Sequence, residues 1–184
     1  MGCRSFLQGW KNEQGEEVNA GRMNLGVVTL NLPRIALESG GNKEKFWSLL
    51  EERLQIAKDA LVFRIDRCKE ATPANAPILY QYGAFGKRLK RTDAVNELFK
   101  NKRATISLGY IGLYEVASVF YGGEWEDNKE AKDFTIDIMK DLKEHADAWG
   151  NEYGYHFSVY STPSESLTDP VSYTHLTLPT TERV

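Results

Sequence analysis

Cysteine is scarce in this sequence. Its 184 residues include only Cys3 and Cys68, too few for a disulfide framework and without the C-x-x-C spacing of a metal-ligand pair. Histidine is scarce too: there are three, no two of them four residues apart, which argues against a metal site built from this chain alone. No apolar run approaches the length of a membrane span, and no signal-peptide pattern opens the chain. An excess of one charge is also lacking. Lys and Arg number 23 against 26 Asp and Glu, for a net charge of −3, which speaks against a nucleic-acid or anionic-membrane partner. The one basic cluster, "GKRLKR" (86–91), is interrupted by Leu89 and reads as a solvated loop or helix start. With 41% hydrophobic and 27% charged residues, the composition is that of a soluble globular protein of the cytoplasm.

What is present is an alternation of strand-like and helix-like segments. "NLGVVTLNL" (24–32) is rich in Val, Leu and Thr and stops at Pro33, as a short, largely buried strand of a parallel sheet does. "LESGG" (37–41) breaks the chain, and Asn42 is placed to cap a helix over 43–69. There Phe46, Leu49, Leu50, Leu54, Ala57, Leu61 and Ile65 recur at three- and four-residue steps, and Cys68 extends the stripe as a half-buried thiol. "PILYQY" (77–82) reads as a further short strand, and 92–100 as a short helix capped by Thr92. "ATISL" (104–108) looks like a strand, and Leu113 to Tyr121 continue as a helix ended by a Gly pair. A second long helix is expected from Asn128 to Trp149, and "GYHFSVY" (154–160) alternates as a strand. This is the α/β signature, with ligands expected beyond the strand ends.

The opening "MGCRSFL" fits two chemistries. Gly2 and Cys3 directly after Met resemble a doubly acylated anchor, but myristoylation asks for Ser or Thr at the sixth position and the chain has Phe6. No polybasic stretch follows to supply a second anchoring signal. The other chemistry is that of an active-site cysteine on a tight, glycine-permitted loop. The closing segment, 170–184, "PVSYTHLTLPTTERV", follows neither helix nor strand logic. It resembles a translated sequencing adapter, so residues 1–169 are expected to be the natural part and His175 carries no functional argument.

Four blocks, "MGCRSFL", "GRMNLGVVTLNLPRIALES", "KNKRATISLGYIGLYE" and "EYGYHFSVYSTPSESLTD", together resemble the anaerobic (class III) ribonucleoside-triphosphate reductases. The resemblance covers residues 1 to about 169, and it implies part of the ten-stranded α/β barrel of the glycyl radical enzymes, cut from a much longer chain. It implies that Cys3 is the thiyl-radical cysteine of the finger loop, which abstracts the 3′ hydrogen of the ribose, and that Asn24 hydrogen-bonds a ribose hydroxyl. On the residues alone, Asn24 also fits a turn-forming residue ahead of a strand. Ser161, Thr162 and Ser164 of "YSTPSES" are candidates for holding the substrate phosphates, with a plain capping loop as the other reading.

The implied cofactors lie mostly off this chain. They are a glycyl radical, formate or a dithiol as reductant, and a structural zinc in a C-terminal region. The implied partners are a ribonucleoside triphosphate, a radical S-adenosylmethionine activase with an iron–sulfur cluster, and a second copy of the intact enzyme. Two rival functions remain: another glycyl radical enzyme, or a non-catalytic nucleotide-binding or Cys3-acylated module.

Overall fold

The computed structural model describes residues 9, 11–12, 14–18, 21–99 and 102–163. Strand β1, Met23–Asn31, opens the ordered part. It runs directly into helix α1, Leu32–Ser39. The sequence reading ended the strand at Pro33 and missed this helix. Proline stops a strand ladder, but it is equally suited to the first turn of a helix, whose N–H groups have no intrahelical acceptor. Asn31 settles the matter: its side chain accepts the Arg34 N–H at 3.1 Å. Gly40 then ends α1 in the left-handed region, its N–H bonding Leu37 O at 3.0 Å.

Helix α2, Lys43–Lys69, follows the predicted boundaries. Asn42 caps it by accepting the Lys45 N–H at 2.7 Å. Phe46, Leu50, Leu54, Ala57, Leu61 and Ile65 form its buried stripe. Cys68 packs half-buried at its end, where burial raises the thiol pKa. The chain then loops back over residues 70–103. "PILY" is not a strand here but a single helical turn, α3, Pro77–Tyr80. Pro77 at its first position favours that turn, as Pro33 does for α1. The 92–100 segment is a 3₁₀ turn over Val95–Leu98, preceded by Ala94 and not by Thr92. "GKRLKR" is a loop with Leu89 turned into the core.

Strand β2, Ala104–Ile111, leads through Gly112 into α4, Leu113–Tyr121. Helix α5, Lys129–Tyr153, is capped by Asn128 and ends at Gly154. It continues past Trp149 because Gly150, lacking a side chain, lets the helix pass close to the carbonyl of Tyr155: a Cβ there would stand 3.2 Å from that oxygen. Strand β3, His156–Ser161, follows at once. The three strands are parallel in the order β1-β2-β3.

The ladder sorts the strands into two faces. Met23, Ala104, Ile106, Leu108, Leu30 and Phe157 lie on one, at 8% exposure or less, where α2 and α5 pack against the sheet. Near one end an aromatic cluster joins α2, α4 and α5, with Phe46, Phe120 and Phe134 at centroid distances of 5.1 to 5.5 Å. The other face is polar. It presents Asn24, Thr29, Thr105, Ser107, His156, Ser158 and Tyr160 by the register.

Among the described residues, β1 and β3 each keep one edge without a strand neighbour, and such edges template association. Residues 1–169 expressed alone are therefore expected to self-associate. A monomer with a sharp cooperative melt, by sedimentation and calorimetry, would contradict this.

Candidate active site

The polar face is built by strand alternation. Asn24 pairs with Thr105, which pairs with His156. Val27 and Ser107 follow with Ser158, then Thr29 and Gly109 with Tyr160. Thr105 and Ser107 are fully buried and Ser158 is 3% exposed, so their hydroxyls must find partners within the protein. Ser107 and Ser158 bond each other at 2.9 Å.

At the C-terminal end of the strands, Thr29 Oγ1 and Thr162 Oγ1 stand 3.0 Å apart, bridging β1 to the residue after β3 across the central strand. They meet because the residue between them is glycine. A Cβ on Gly109 would lie 2.5 Å from Thr162 Oγ1, 2.6 Å from Thr29 Oγ1 and 2.7 Å from Val27 Cγ2. The Thr162 N–H also donates to Tyr110 O at 3.0 Å, so the start of the "STPSES" loop is pinned at both side chain and backbone. Gly112, at φ +77°, has Pro33 against the position its Cβ would fill. The turns that start α1 and α4 are thereby packed together on this edge.

Toward the other end, β1 carries a bulge between Asn24 and Val27. Gly26 sits in it at φ +119°, with Arg64 Nη1 2.5 Å from where its Cβ would be. Its N–H donates to Asn24 Oδ1 at 2.6 Å. That bond fixes which end of the carboxamide is oxygen and how the amide is turned, and bulges of this kind re-aim side chains beside functional sites.

Of the candidate site residues, the structure brings Asn24 and Thr162 to one face; Thr105, beside Asn24, and Gly109, beneath the Thr29–Thr162 pair, stand four rungs apart on β2, or about 13 Å at the usual rise. Ser161 pairs with Tyr110, so it alternates onto the opposite, helix-side face, and it is exposed. Cys3 and Ser164 lie outside the described residues, as does the 170–184 tail. Sequence reasoning did not single out Thr29. The signal for Thr29 was a hydroxyl in the otherwise apolar "GVVTLNL". The signal for Gly109 was a glycine inside a strand, which often marks a close approach.

The face carries no carboxylate from Asn24 to Thr162. His156 is held below the ordinary imidazole pKa, by burial first and then by the charges of Lys102, Arg22 and Lys143. It therefore adds a neutral ring at neutral pH. A surface of hydroxyls, an amide and no acids suits a polar, anionic ligand. No group of three or more His, Cys, Asp or Glu among the described residues is placed to hold a metal ion. No helix among them is long and apolar enough to cross a membrane.

The sequence profile of the family described as "Anaerobic ribonucleoside-triphosphate reductase" matches residues 1–173. The chain belongs to that family. It is 53% identical over 170 residues to the anaerobic ribonucleoside-triphosphate reductases of Salmonella typhimurium and Escherichia coli, covering 92% of this chain and 24% of each relative. A crystal structure of the anaerobic ribonucleotide reductase from Thermotoga maritima, in complex with dATP and CTP, superposes with a TM-score of 0.59 at 28% identity. That match covers 85% of this chain and 24% of the other. The chain thus spans about a quarter of the length of these reductases. Its helix-backed, all-parallel sheet is consistent with part of the family's α/β barrel.

Two outcomes are expected here. Gly109→Ala in a full-length reductase should separate the Thr29 and Thr162 hydroxyls and overpack the centre of the sheet, at a cost of about 1–3 kcal/mol. Chemical denaturation reads that loss, and Thr29→Val, which keeps the volume, should cost less. His156 has a folded pKa below its unfolded value, so the unfolded chain binds more protons in the window between the two. Its contribution is present above about pH 6.5 and is lost as pH falls through the folded pKa. Melting temperature followed from pH 8 to 5 should therefore decline less steeply in His156→Gln than in the parent.

Proposed function

We propose that the longer protein to which this chain belongs reduces ribonucleoside triphosphates to deoxyribonucleotides for DNA synthesis, and that the half-buried ends of the polar face, Asn24 and the Thr29–Thr162 pair, are part of the bed on which the substrate lies. The observation that carries this reading is the acid-free face with Asn24 toward one end and the Thr29–Thr162 pair at the other. Their separation is comparable with the reach of a ribose and its extended phosphates.

Asn24 then takes a ribose hydroxyl. Its carboxamide can donate and accept without adding charge, and its orientation is held by the Gly26 N–H. Thr162, with Ser164 of the same loop, serves the phosphate end through hydroxyls and backbone N–H groups at a strand terminus, whereas Ser161, on the helix-side face, brings no hydroxyl to it. The Gly109 gap and the Thr29 contact keep that loop seated on the sheet.

Cys3 is the hydrogen-atom acceptor. Its sulfur radical takes the 3′ hydrogen of the ribose, forming an S–H bond and leaving the unpaired electron on carbon. Sulfur suits the step because the S–H bond is weak enough for the exchange to reverse, and a barrel interior keeps water and stray reductants away. A glycyl radical on a segment outside this chain supplies the oxidising equivalent, and formate or a dithiol supplies the reducing electrons. The further proposed associations are an iron–sulfur activase using S-adenosylmethionine, a structural zinc in the C-terminal region, and a homodimer. Residues 170–184 are proposed to be foreign to the natural protein.

In the full-length enzyme, Cys3→Ser should abolish turnover while ribonucleotide binding stays near the parental value, because oxygen does not relay the radical. Single-turnover assays and equilibrium binding measure the two separately. Substantial residual reduction would remove Cys3 from this role. Asn24→Ala should lower kcat by about tenfold or more, the effect expected for one lost hydrogen bond to a reacting centre.

A further inference from the structure

The Asn24 end of the polar face holds a charge that the proposed reaction does not use. Arg22 stands one residue ahead of β1, on the alternation that carries Asn24, and is 9% exposed. Its Nη2 reaches Thr105 Oγ1 at 3.4 Å, which is long for a hydrogen bond. Its Nε is sealed from solvent and has no hydrogen-bond partner among the described residues. None of the ion pairs among the described residues includes it.

Arg103, close by, shows what a satisfied guanidinium looks like in the same region. Its Nε donates to Gly21 O at 2.6 Å and its Nη2 to Phe85 O. Burial lowers the pKa of both arginines, yet neither sheds its proton at any ordinary pH. A buried cation left without a counter-charge is strongly unfavourable, and proteins supply one. Across Thr105 lies His156, whose pKa the Arg22 charge helps to depress. The ring therefore leaves the positive field of Arg22 unopposed.

We propose that Arg22 anchors a carboxylate at this end of the face, held side-on through Nε–H and a neighbouring Nη–H. The planar fork of a guanidinium matches the two oxygens of a carboxylate, and one negative charge balances one positive charge. A phosphate dianion would leave an excess charge here. The hydroxyl and backbone donors suited to phosphate stand at the opposite end of the strands. The carboxylate has two sources, an Asp or Glu elsewhere in the full-length protein or a small carboxylate from solution. The inference rests on the surroundings of Arg22 and not on the roles given to Cys3 or Thr162, so its failure would leave those roles standing.

The test uses the full-length reductase as parent, Arg22→Gln and Arg22→Lys, with acetate and inorganic phosphate as probes. An experimental structure of the parent that shows an Asp or Glu side chain bonded to Arg22 establishes the carboxylate and assigns it to the protein. Saturable acetate binding by calorimetry, weakened about tenfold or more in Arg22→Gln and not displaced by phosphate, establishes it and assigns it to solution. Arg22→Lys keeps the charge and loses the fork, so it should retain part of either effect. This keeps the test open if Arg22→Gln fails to fold. A parent structure in which Arg22 meets only water, backbone carbonyls or phosphate, with no acetate binding, overturns the proposal.

Discussion

Everything in the described part of this chain hangs on the central strand β2, paired in parallel on both sides and alternating between two kinds of residue. Ala104, Ile106 and Leu108 face the helices; Thr105, Ser107 and Gly109 face the other way. A side-chain period of two means that a one-residue slip would drive hydroxyls into the apolar core and Leu and Ile onto the polar face. The burial of α2 and α5 against one face therefore fixes the chemistry of the other. Packing here decides which residues the polar face presents.

The same ladder explains why the two serines of the polar face are both buried and satisfied. Ser107 and Ser158 are neighbours in register and bond each other. A pair of hydroxyls costs little when each meets the other. The bulge at Gly26 is the one place where the register gives way, adding a residue to β1 between Asn24 and Val27. Without it, Asn24 would sit in plain alternation and its amide would lack the local N–H that orients it. The irregularity and the candidate catalytic residue occupy the same turn of chain.

How much of this was legible in the sequence follows from the range of each interaction. The stripe of α2 and its Asn42 cap repeat within a few residues, so the helix could be read with its boundaries. Pro33 and Pro77 could not be assigned from local pattern, because proline ends a strand and begins a helix for the same reason, its missing N–H. In α5, expected to end at Trp149, Gly150 makes a close passage against Tyr155, a contact formed only after the chain turns back. The site was less legible still. Cys3, Asn24 and the Ser161–Ser164 loop came from resemblance of whole blocks to a reductase family. Thr29 and Thr162 are 133 residues apart, and no spacing rule joins them.

Gly109 shows how such a site can be encoded without a motif. Its value lies in the absence of a side chain at the point where three strands bring Thr29, Val27 and Thr162 together. It lacks the positive φ that marks Gly26 and Gly112, so its conformation alone does not require glycine; its neighbours do. A glycine in a strand interior ordinarily weakens the strand. Here that cost is offset by a bond from the first strand to the residue just past the third, which no larger residue would permit. The two hydroxyls close over the central strand and tether the loop beyond β3 to β1. The arrangement gives the chain that leaves β3 a fixed starting point, which the proposed phosphate-holding role requires if its donors are to be in place before a ligand arrives.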